Sequence, residues 1–569
     1  MSTAEFNITS DDLWYGTYQK YGISTDFNIP EHIQSLADVF EDNITNHRGA
    51  IASTFMDKSM TYGELDEASL KIAAYLQSLG LEKGDKIALM MPNVPQYLVT
   101  MFGVIRAGYT LVNVNPLYTS PELEHQLNDS EAKVLFIIEN FAKTFEQVKN
   151  KGKVEHVVVA SIGDMLGLKG HIVNLVVRHI KKMVPSYHIN GTTSFKDALN
   201  SVPANKFKRP MLTLDDVAVL QYTGGTTGVA KGAMLTHRNI IANIEQASNF
   251  VSTAFPDGNM NGKYITVALP LYHIFCFMVS QLAMKYGFAL LLIPNARDFA
   301  DLTKQHAKYR PVFFMGVNTL FNALTNHEGF KSIDHGNMKF SLAGGMSVLP
   351  STAKAWEALT GTHITEGYGL SETSPVLTVT PPPAGYSGKI GIPLPATDIV
   401  ILDDDGNRVP LGEAGEICAK GPQVMKGYWG RPDETEKVIT TDGYFRTGDI
   451  GIMDEQGYIK IVDRKKDMVL VSGFNVYPNE VEEVVAAHPK VLECGVIGVP
   501  DEHSGEVVKV FVVKKDESLT EKEIASWVKE RLTGYKRPKI VEFVSELPKS
   551  NVGKILRKEL RNLEKQKSS

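Results

Sequence analysis

Between about residues 60 and 160 the apolar positions switch between two spacings. In "TYGELDEASLKIAAYLQSLG" they fall three and four apart and stop at Gly80, as one buried helix face with a glycine end requires. "DKIALMMP" is a short apolar strand candidate, "VPQYLVTMFGVIRAG" is again helical and "AKVLFIIE" again extended. Strands alternating with helices predict βαβ units and a largely parallel sheet. The pattern resumes at "DVAVLQYT", crosses a glycine-rich loop and enters "HRNIIANIEQAS" as a helix, giving a strand–loop–helix setting. "YITVALPLYH", "FALLLIP", "PVFFMGV" and "KFSLAGG" add buried strands. Ligands of such sheets gather beyond the carboxyl ends of the strands, where the glycine-rich loop would lie.

After about residue 385 prolines and glycines become frequent, with short β-like runs such as "TDIVILDDDG" and "GEICAKG". Charges then concentrate at Asp463 to Asp467, where a domain boundary is expected. A smaller α+β unit follows: a helix near Glu480 to His488, extended "CGVIGVP" and "VVKVFVVKK", the helix "EKEIASWVKERL", and extended "KIVEFV". The terminal "EKQKSS" reads as a disordered tail.

A chain of 569 residues exceeds one ordinary core, so more than one domain is expected. Hydrophobic residues at 43% and charged residues at 22% fit a soluble globular protein. The net charge of −6 gives no global reason to expect nucleic acid as a partner. Cys276, Cys418 and Cys494 lie far apart, which favours a reducing compartment and gives no zinc spacing. The first residues are polar and acidic, unlike a signal peptide. "FCFMVSQLAMKYGFALLLIP" is interrupted by Gln281, Lys285 and Gly287 and reads as buried helix then strand, not as a membrane span. The expected location is the cytoplasm.

The loop, "YTGGTTGVAKGAMLTH" from Tyr222 to His237, carries the first chemistry. It is not a Walker A sequence, since Ala230 precedes Lys231 and Gly232 follows it. Gly224, Gly225 and Gly228 still let backbone N–H groups turn toward one anion. Thr223, Thr226 and Thr227 offer hydroxyls, and Lys231 a point charge. By composition alone the same stretch also fits a flexible surface turn; its setting favours a phosphate site.

This loop closely resembles the signature of the adenylate-forming (AMP-binding) ligases, which activate carboxylic acids with ATP. "EGYGLSE" (Glu366–Glu372), "YFRTGDIG" (Tyr444–Gly451), "VDRKKDMVLVSGFNVYP" (Val462–Pro478) and "PKSNVGKILRKEL" (Pro548–Leu560) also resemble motifs of that family, in its order. With "NVNPLYT" and "LPLYHIF", the wording looks most like the bacterial long-chain fatty-acid–CoA ligases. The resemblance implies an α/β chain. Residues 1–462 would form a large N-terminal, multi-subdomain adenylate-forming domain with sheets flanked by helices, holding ATP and the acyl substrate. Residues 463–467 would be a hinge, and 468–569 a small mobile α+β C-terminal domain carrying the catalytic lysine.

The resemblance also assigns roles. Lys554 would reach the α-phosphate and the substrate carboxylate, where an ammonium suits a developing anion. Glu372 would hold Mg2+, with Thr226 beside it. Asp449 would take the ribose hydroxyls, Arg464 would add a cation near ribose or phosphate, and Tyr368 would stack on adenine. Gly344, Gly345 and Gly369 would let backbone approach the nucleotide. His273 would lie near the carboxylate, although a lone histidine on an apolar stretch is equally a satisfied core residue. For the second step the small domain would rotate about Lys466, and Ser472 and Gly473 would line the path of CoA.

"FMGVNTLFNALTN" is expected to line the acyl pocket through Phe314, Gly316, Val317 and Leu320, although its composition also fits a core helix. Read at helical spacing, Ile172 to Val184 gathers Ile172, Val173, Val176, Val177, Ile180, Met183 and Val184 on one face and sets Arg178, Lys181 and Lys182 opposite. That pattern fits peripheral contact with the cytoplasmic face of an inner membrane, or a helix packed on its own protein. A homodimer stays open. The expected activity is fatty acid, ATP and CoA going to acyl-CoA, AMP and pyrophosphate. Its alternatives are another adenylating enzyme acting on medium-chain or aryl acids, and a non-catalytic nucleotide- or acyl-binding regulator.

Overall fold

The computed structural model describes residues 12–223, 230–472, 474–501, 503–550 and 553–568. The first large sheet has seven strands, in the order Thr192–Ser194, His156–Ala160, Val134–Ile138, Lys86–Met90, Thr110–Asn113, Val217–Thr223 and Lys231–Thr236. All neighbours are parallel except the last pair. Val134–Ile138 is buried at every position, as expected where helices cover both faces of a parallel sheet. The last pair corrects the strand–loop–helix expectation. After the glycine-rich loop the chain returns as a strand, with Lys231 opposite Thr223, before the helix begins at His237. Ala233 and Leu235 alternate inward along it, a period that six residues before a helix hardly advertise.

The second sheet has nine strands, in the order Ile392–Pro393, Val376–Val379, Ile364–Gly369, Phe340–Ala343, Phe313–Gly316, Tyr264–Val267, Ala289–Leu292, Ile51–Phe55 and Lys58–Thr61. Its centre is parallel and its two ends are antiparallel. A four-stranded antiparallel sheet follows: Asp398–Leu402, Ala414–Lys420, Phe445–Met453 and Ile459–Arg464. A last sheet contains Val469–Val471, Phe474–Val476, Val491–Asp501, Gly505–Lys514 and Ile540–Phe543. It has its own cores of valine, isoleucine and leucine, sharing no residue with the main one.

Five helices matter below: α1 (Leu168–Leu175), α2 (His237–Ala254), α3 (Ile274–Lys285), α4 (Asn318–Asn326) and α5 (Arg557–Ser568). The apolar stretch around Cys276 is α3 followed by the strand Ala289–Leu292. Among the described residues no helix is long and apolar enough to cross a membrane.

Two local expectations are corrected. The terminal segment is helical, not loose: α5 runs to Ser568, Lys509 holds Glu564 at 2.5 Å and Lys567 pairs with Glu542. Charge composition hid these long-range partners. In α1 and the π turn Val176–Ile180 that continues it, the inward face is Gly170, Asn174 and Val177. Gly163 and Gly170 approach so closely that a Cβ on either would overlap the other's backbone, and Asn174 accepts the Gly163 N–H at 2.7 Å. Arg178, expected on a free basic face, donates to Glu139 at 2.9 Å and Ser161 at 2.8 Å. The exposed apolar side chains are therefore Leu168, Ile172, Leu175, Ile180 and Met183, while Val177 is buried. Periodicity defines faces, but the glycine contact decides which one turns inward.

Candidate active site

The segment before α3 is pinned by buried polar side chains. Asn93 donates to the carbonyls of Val267 at 3.0 Å and Leu269 at 2.8 Å and accepts the Leu271 N–H at 2.8 Å. Gln221 donates to the Tyr272 carbonyl at 3.1 Å. The strand thus ends at Val267, short of the "YITVALPLYH" run, and His273 is delivered as the cap of α3, accepting the Phe275 N–H at 3.4 Å. Burial, with the Lys554 ammonium nearby, pulls the His273 imidazole down to about 4. It is neutral at physiological pH.

Asp449 lies on one strand of the antiparallel sheet, directly opposite Arg464 on the next. Its two oxygens are held by Arg464 Nε at 3.1 Å and by the Tyr368 hydroxyl at 2.8 Å. Burial and the adjacent carboxylate push the Tyr368 phenol well up, so it stays a donor. Gly344 and Gly345 follow the strand Phe340–Ala343, and Gly345 has φ +77°. A Cβ at Gly344 would press on the Phe275 ring, and one at Gly369 would overlap the Pro375 carbonyl. Gly369 therefore needs bare backbone, and Gly344 leaves room for more only if the Phe275 ring shifts.

At the other polar corner Lys231 donates to Glu434 at 2.7 Å, and Glu434 also takes Lys437 at 2.6 Å. These two cations hold the Glu434 carboxyl down at about 2. Tyr428 lies under Lys231, 4.8 Å from ring centre to ammonium, and donates its hydroxyl to Glu372 at 2.8 Å.

Beside these groups lies a cavity of about 830 Å3. Thr223, Lys231, His273, Gly344, Gly345, Tyr368, Gly369, Glu372, Asp449, Arg464, Lys466 and Lys554 line it. Lys554 reaches it from the C-terminal sheet's side of the molecule, and burial beside Arg464 pulls its ammonium down to about 7. Burial likewise lowers Lys466, with Arg464 adding to the effect. In both lysines burial is the larger cause and repulsion from Arg464 the smaller.

The apolar end of the cavity is lined by only one of the four residues expected in the acyl pocket. Val317 lines it, but Phe314, Gly316 and Leu320 do not. Phe314 is packed on Trp356 and Phe321, with ring centres at 5.2 and 5.5 Å. A Cβ on Gly316 would meet those same phenylalanines, and Leu320 is buried in the core of α4. The lining comes instead from Ala247, Phe250 and Val251 on α2 and Phe275, Met278, Val279 and Leu282 on α3. The α3 positions are spaced as one helical stripe. Because α3 is buried all round, that stripe did not stand out from its other faces. Tyr428, Glu434 and Lys437 were also missed; each is an ordinary surface residue type until the fold sets it beside Lys231.

Ser472 is exposed and outside the cavity, where its N–H donates to the Ser504 carbonyl at 2.8 Å. Gly224, Gly225, Thr226, Thr227, Gly228 and Gly473 lie outside the described residues.

The AMP-binding enzyme model matches residues 40–429, and the model of the AMP-binding enzyme C-terminal domain matches 480–554. The chain belongs to the AMP-binding enzyme family. A long-chain-fatty-acid–CoA ligase of Escherichia coli O6:H1 is 51% identical over 97% of this chain and 98% of its own length. One from Bacillus subtilis is 36% identical over 94% and 95%. Among solved structures, the anthranilate CoA ligase AuaEII in complex with anthranoyl-AMP superposes with a TM-score of 0.82 at 25% identity, over 94% of this chain and 98% of that one. ATP-bound MatB from Rhodopseudomonas palustris gives 0.75 at 28%, over 93% and 99%. In this AMP-binding enzyme described residues from several motifs, hundreds of positions apart, line one cavity.

Proposed function

We propose that this AMP-binding enzyme is a long-chain fatty-acid–CoA ligase. It activates a fatty acid with ATP to acyl-adenylate and pyrophosphate, then passes the acyl group to CoA with release of AMP. One observation carries the reading: a single cavity joins a polar end at Asp449, Lys231 and Lys554 to an apolar end between α2 and α3. The full-length likeness to ligases of that name supports it.

In the first step a carboxylate oxygen attacks the α-phosphorus and the bond to pyrophosphate breaks. Both reactants are anions, so fixed cations must offset their repulsion. Asp449 would accept the ribose hydroxyls, Lys231 would meet the outer phosphates, and Lys554 would bridge α-phosphate and carboxylate. Neutral His273 would hydrogen-bond the carboxylate without adding charge. Among the described residues no three His, Cys, Asp or Glu side chains gather as a metal site. Mg2+ bound through substrate phosphates needs only one or two carboxylates, and Glu372, lining the cavity beside Tyr428, fits that demand. Magnesium, when bound, offsets phosphate charge.

In the second step the CoA sulfur attacks the acyl carbonyl, the bond to AMP breaks and the thiol proton leaves. Lys554 must then withdraw. We assign 1–462 and 468–569 as the two moving parts, 463–467 as the hinge with Lys466 as pivot, and Ser472 and Gly473 to the CoA path in the second pose. The experiment is an incubation with ATP, Mg2+, CoA and acids of graded length, with every product identified. Acid-dependent AMP and acyl-CoA, greatest for long chains, is the expected result. ADP, or no turnover with any acid, rejects it.

The proposal extends to where the acid is met. The exposed side chains of Leu168, Ile172, Leu175, Ile180 and Met183, flanked by Lys169, Lys181 and Lys182, fit the cytoplasmic face of an anionic membrane. Vesicles containing phosphatidylglycerol should bind the protein and lose most of that binding in Ile172→Ser/Leu175→Ser. Equal binding by both proteins rejects this surface.

A further inference from the structure

In the segment expected to hold the alkyl chain, Val317 lines the cavity but no residue of α4 does. Helix α4 buries Leu320, Phe321 and Leu324, and leaves Thr319, Asn322, Ala323 and Asn326 partly or fully open. Those positions are three, four and seven apart and form one stripe. Two of them touch the part of the chain that carries Lys554. The Thr319 hydroxyl donates to the Gly553 carbonyl at 3.1 Å, one residue before the lysine. Lys515 donates to Asn326 Oδ1 at 3.3 Å. Gly553 has φ +81°, and a Cβ there would lie 2.5 Å from Thr319 Oγ1 and 3.3 Å from Val317 Cγ2. Backbone therefore meets α4 with no space left between them. Behind Gly553 the segment is tied to itself: the Ser550 N–H donates to the Lys554 carbonyl at 2.7 Å, and the Lys554 N–H to Ser550 Oγ at 3.1 Å.

We propose that the outer stripe of α4 is the docking surface that sets Lys554 in the cavity, and that the Thr319 hydroxyl is its pose-selecting contact. The inference rests on the two-step reading above. A pose that forms and breaks in every turnover calls for weak, specific contacts. The stripe supplies one uncharged donor, Thr319, one uncharged acceptor, Asn326, and no large apolar anchor, whereas α4's other face supplies the permanent core contacts. Thr319 is thus a positioning residue that acts through Gly553 on Lys554. A ligand must tip the same balance, since a closed pose with an anion present satisfies the crowded Lys554 ammonium.

The test separates the half-reactions in the full-length protein. Thr319→Val keeps shape and removes the hydroxyl; Thr319→Arg puts a wedge on the stripe. Acid-dependent exchange of pyrophosphate into ATP should fall about three- to tenfold in Thr319→Val, and further in Thr319→Arg. Acyl-CoA formation from supplied acyl-adenylate, and the KM for fatty acid, should stay at wild-type values in both. Circular dichroism and Tm confirm folding of each variant. Equal loss in both half-reactions, or full exchange activity in Thr319→Arg, would overturn the inference. So would an altered chain-length profile with normal exchange, which would return α4 to the acyl pocket. A wild-type protein that never exchanges pyrophosphate would instead overturn the two-step reading, and this inference with it.

Discussion

Helices α3 and α4 each follow a buried strand of the nine-stranded sheet or the loop leaving it, and both are rich in Phe and Leu, yet they face different things. Every residue of α3 from Ile274 to Met284 is buried, so the helix lies between the core and the cavity. In α4 only one side is buried, and the other meets the part of the chain that carries Lys554. An all-apolar surface is tolerated where a ligand chain or core covers every side. A one-sided helix is the ordinary arrangement at a surface, and its open side leaves room for another part of the chain. The difference teaches that aromatic and aliphatic content alone does not locate an alkyl pocket.

The comparison can be broken in graded steps. The largest effect belongs to the group that α4 helps to place. Lys554→Ala should lower pyrophosphate exchange on the order of a thousandfold while thioester formation from supplied acyl-adenylate continues. Equal loss in both steps of a folded variant would falsify the two-pose account. Next comes the α3 stripe. Filling it with Leu282→Trp or Met278→Trp should lower kcat/KM for a long acid by about 10–200-fold relative to a short one. Leu320→Ala, on α4, should cost about 2–5 kcal/mol of stability and leave the ratio between acids unchanged. A shift in that ratio from Leu320→Ala would show the two helices to be alike after all.

Smaller effects sharpen the picture. Tyr428→Phe removes one hydrogen bond from Glu372 and should raise the KM for ATP about three- to tenfold; an unchanged KM would detach Tyr428 from the phosphate end. The smallest effect is on closure of the free protein. Burial beside Arg464 lowers Lys554 to about 7 in the closed pose, whereas an open, solvated lysine keeps its ordinary, higher value. A charged lysine therefore opposes closure fully below pH 7, and the penalty fades as pH rises above it. Fluorescent labels across α4 and the last sheet should report more closed protein at pH 9 than at pH 6.5 without ATP, and little pH dependence with acyl-adenylate bound. The opposite slope would reassign the shifted group.

Much of the polar end was legible. Asp449, Tyr368, Glu372 and Lys554 were singled out through the short motifs that resemble those of the adenylate-forming ligases, and all four line the cavity. Tyr428, Glu434 and Lys437 were not legible, because a tyrosine, and a glutamate and a lysine in and just after the short helix Pro432–Glu436, carry no message until folding sets them beside Lys231. Strands such as Lys86–Met90, Val134–Ile138 and Ala289–Leu292 were readable from unbroken apolar runs, whereas short or polar ones such as Thr192–Ser194 and Lys58–Thr61 were not. The return strand after the glycine-rich loop was hidden by its brevity and by the helix that follows.

The sequence by itself determined much of the alternation of strands and helices and, through motifs shared with the adenylate-forming ligases, which polar residues to look for. The first follows from local spacing, the second from resemblance. Only the tertiary structure decided which apolar stripe faces the cavity, which face of α1 turns inward, and that α4 meets Gly553. Such choices depend on contacts between residues tens to hundreds of positions apart, such as Gly163 with Gly170 backbone or Thr319 with the Gly553 carbonyl, and no local pattern records them.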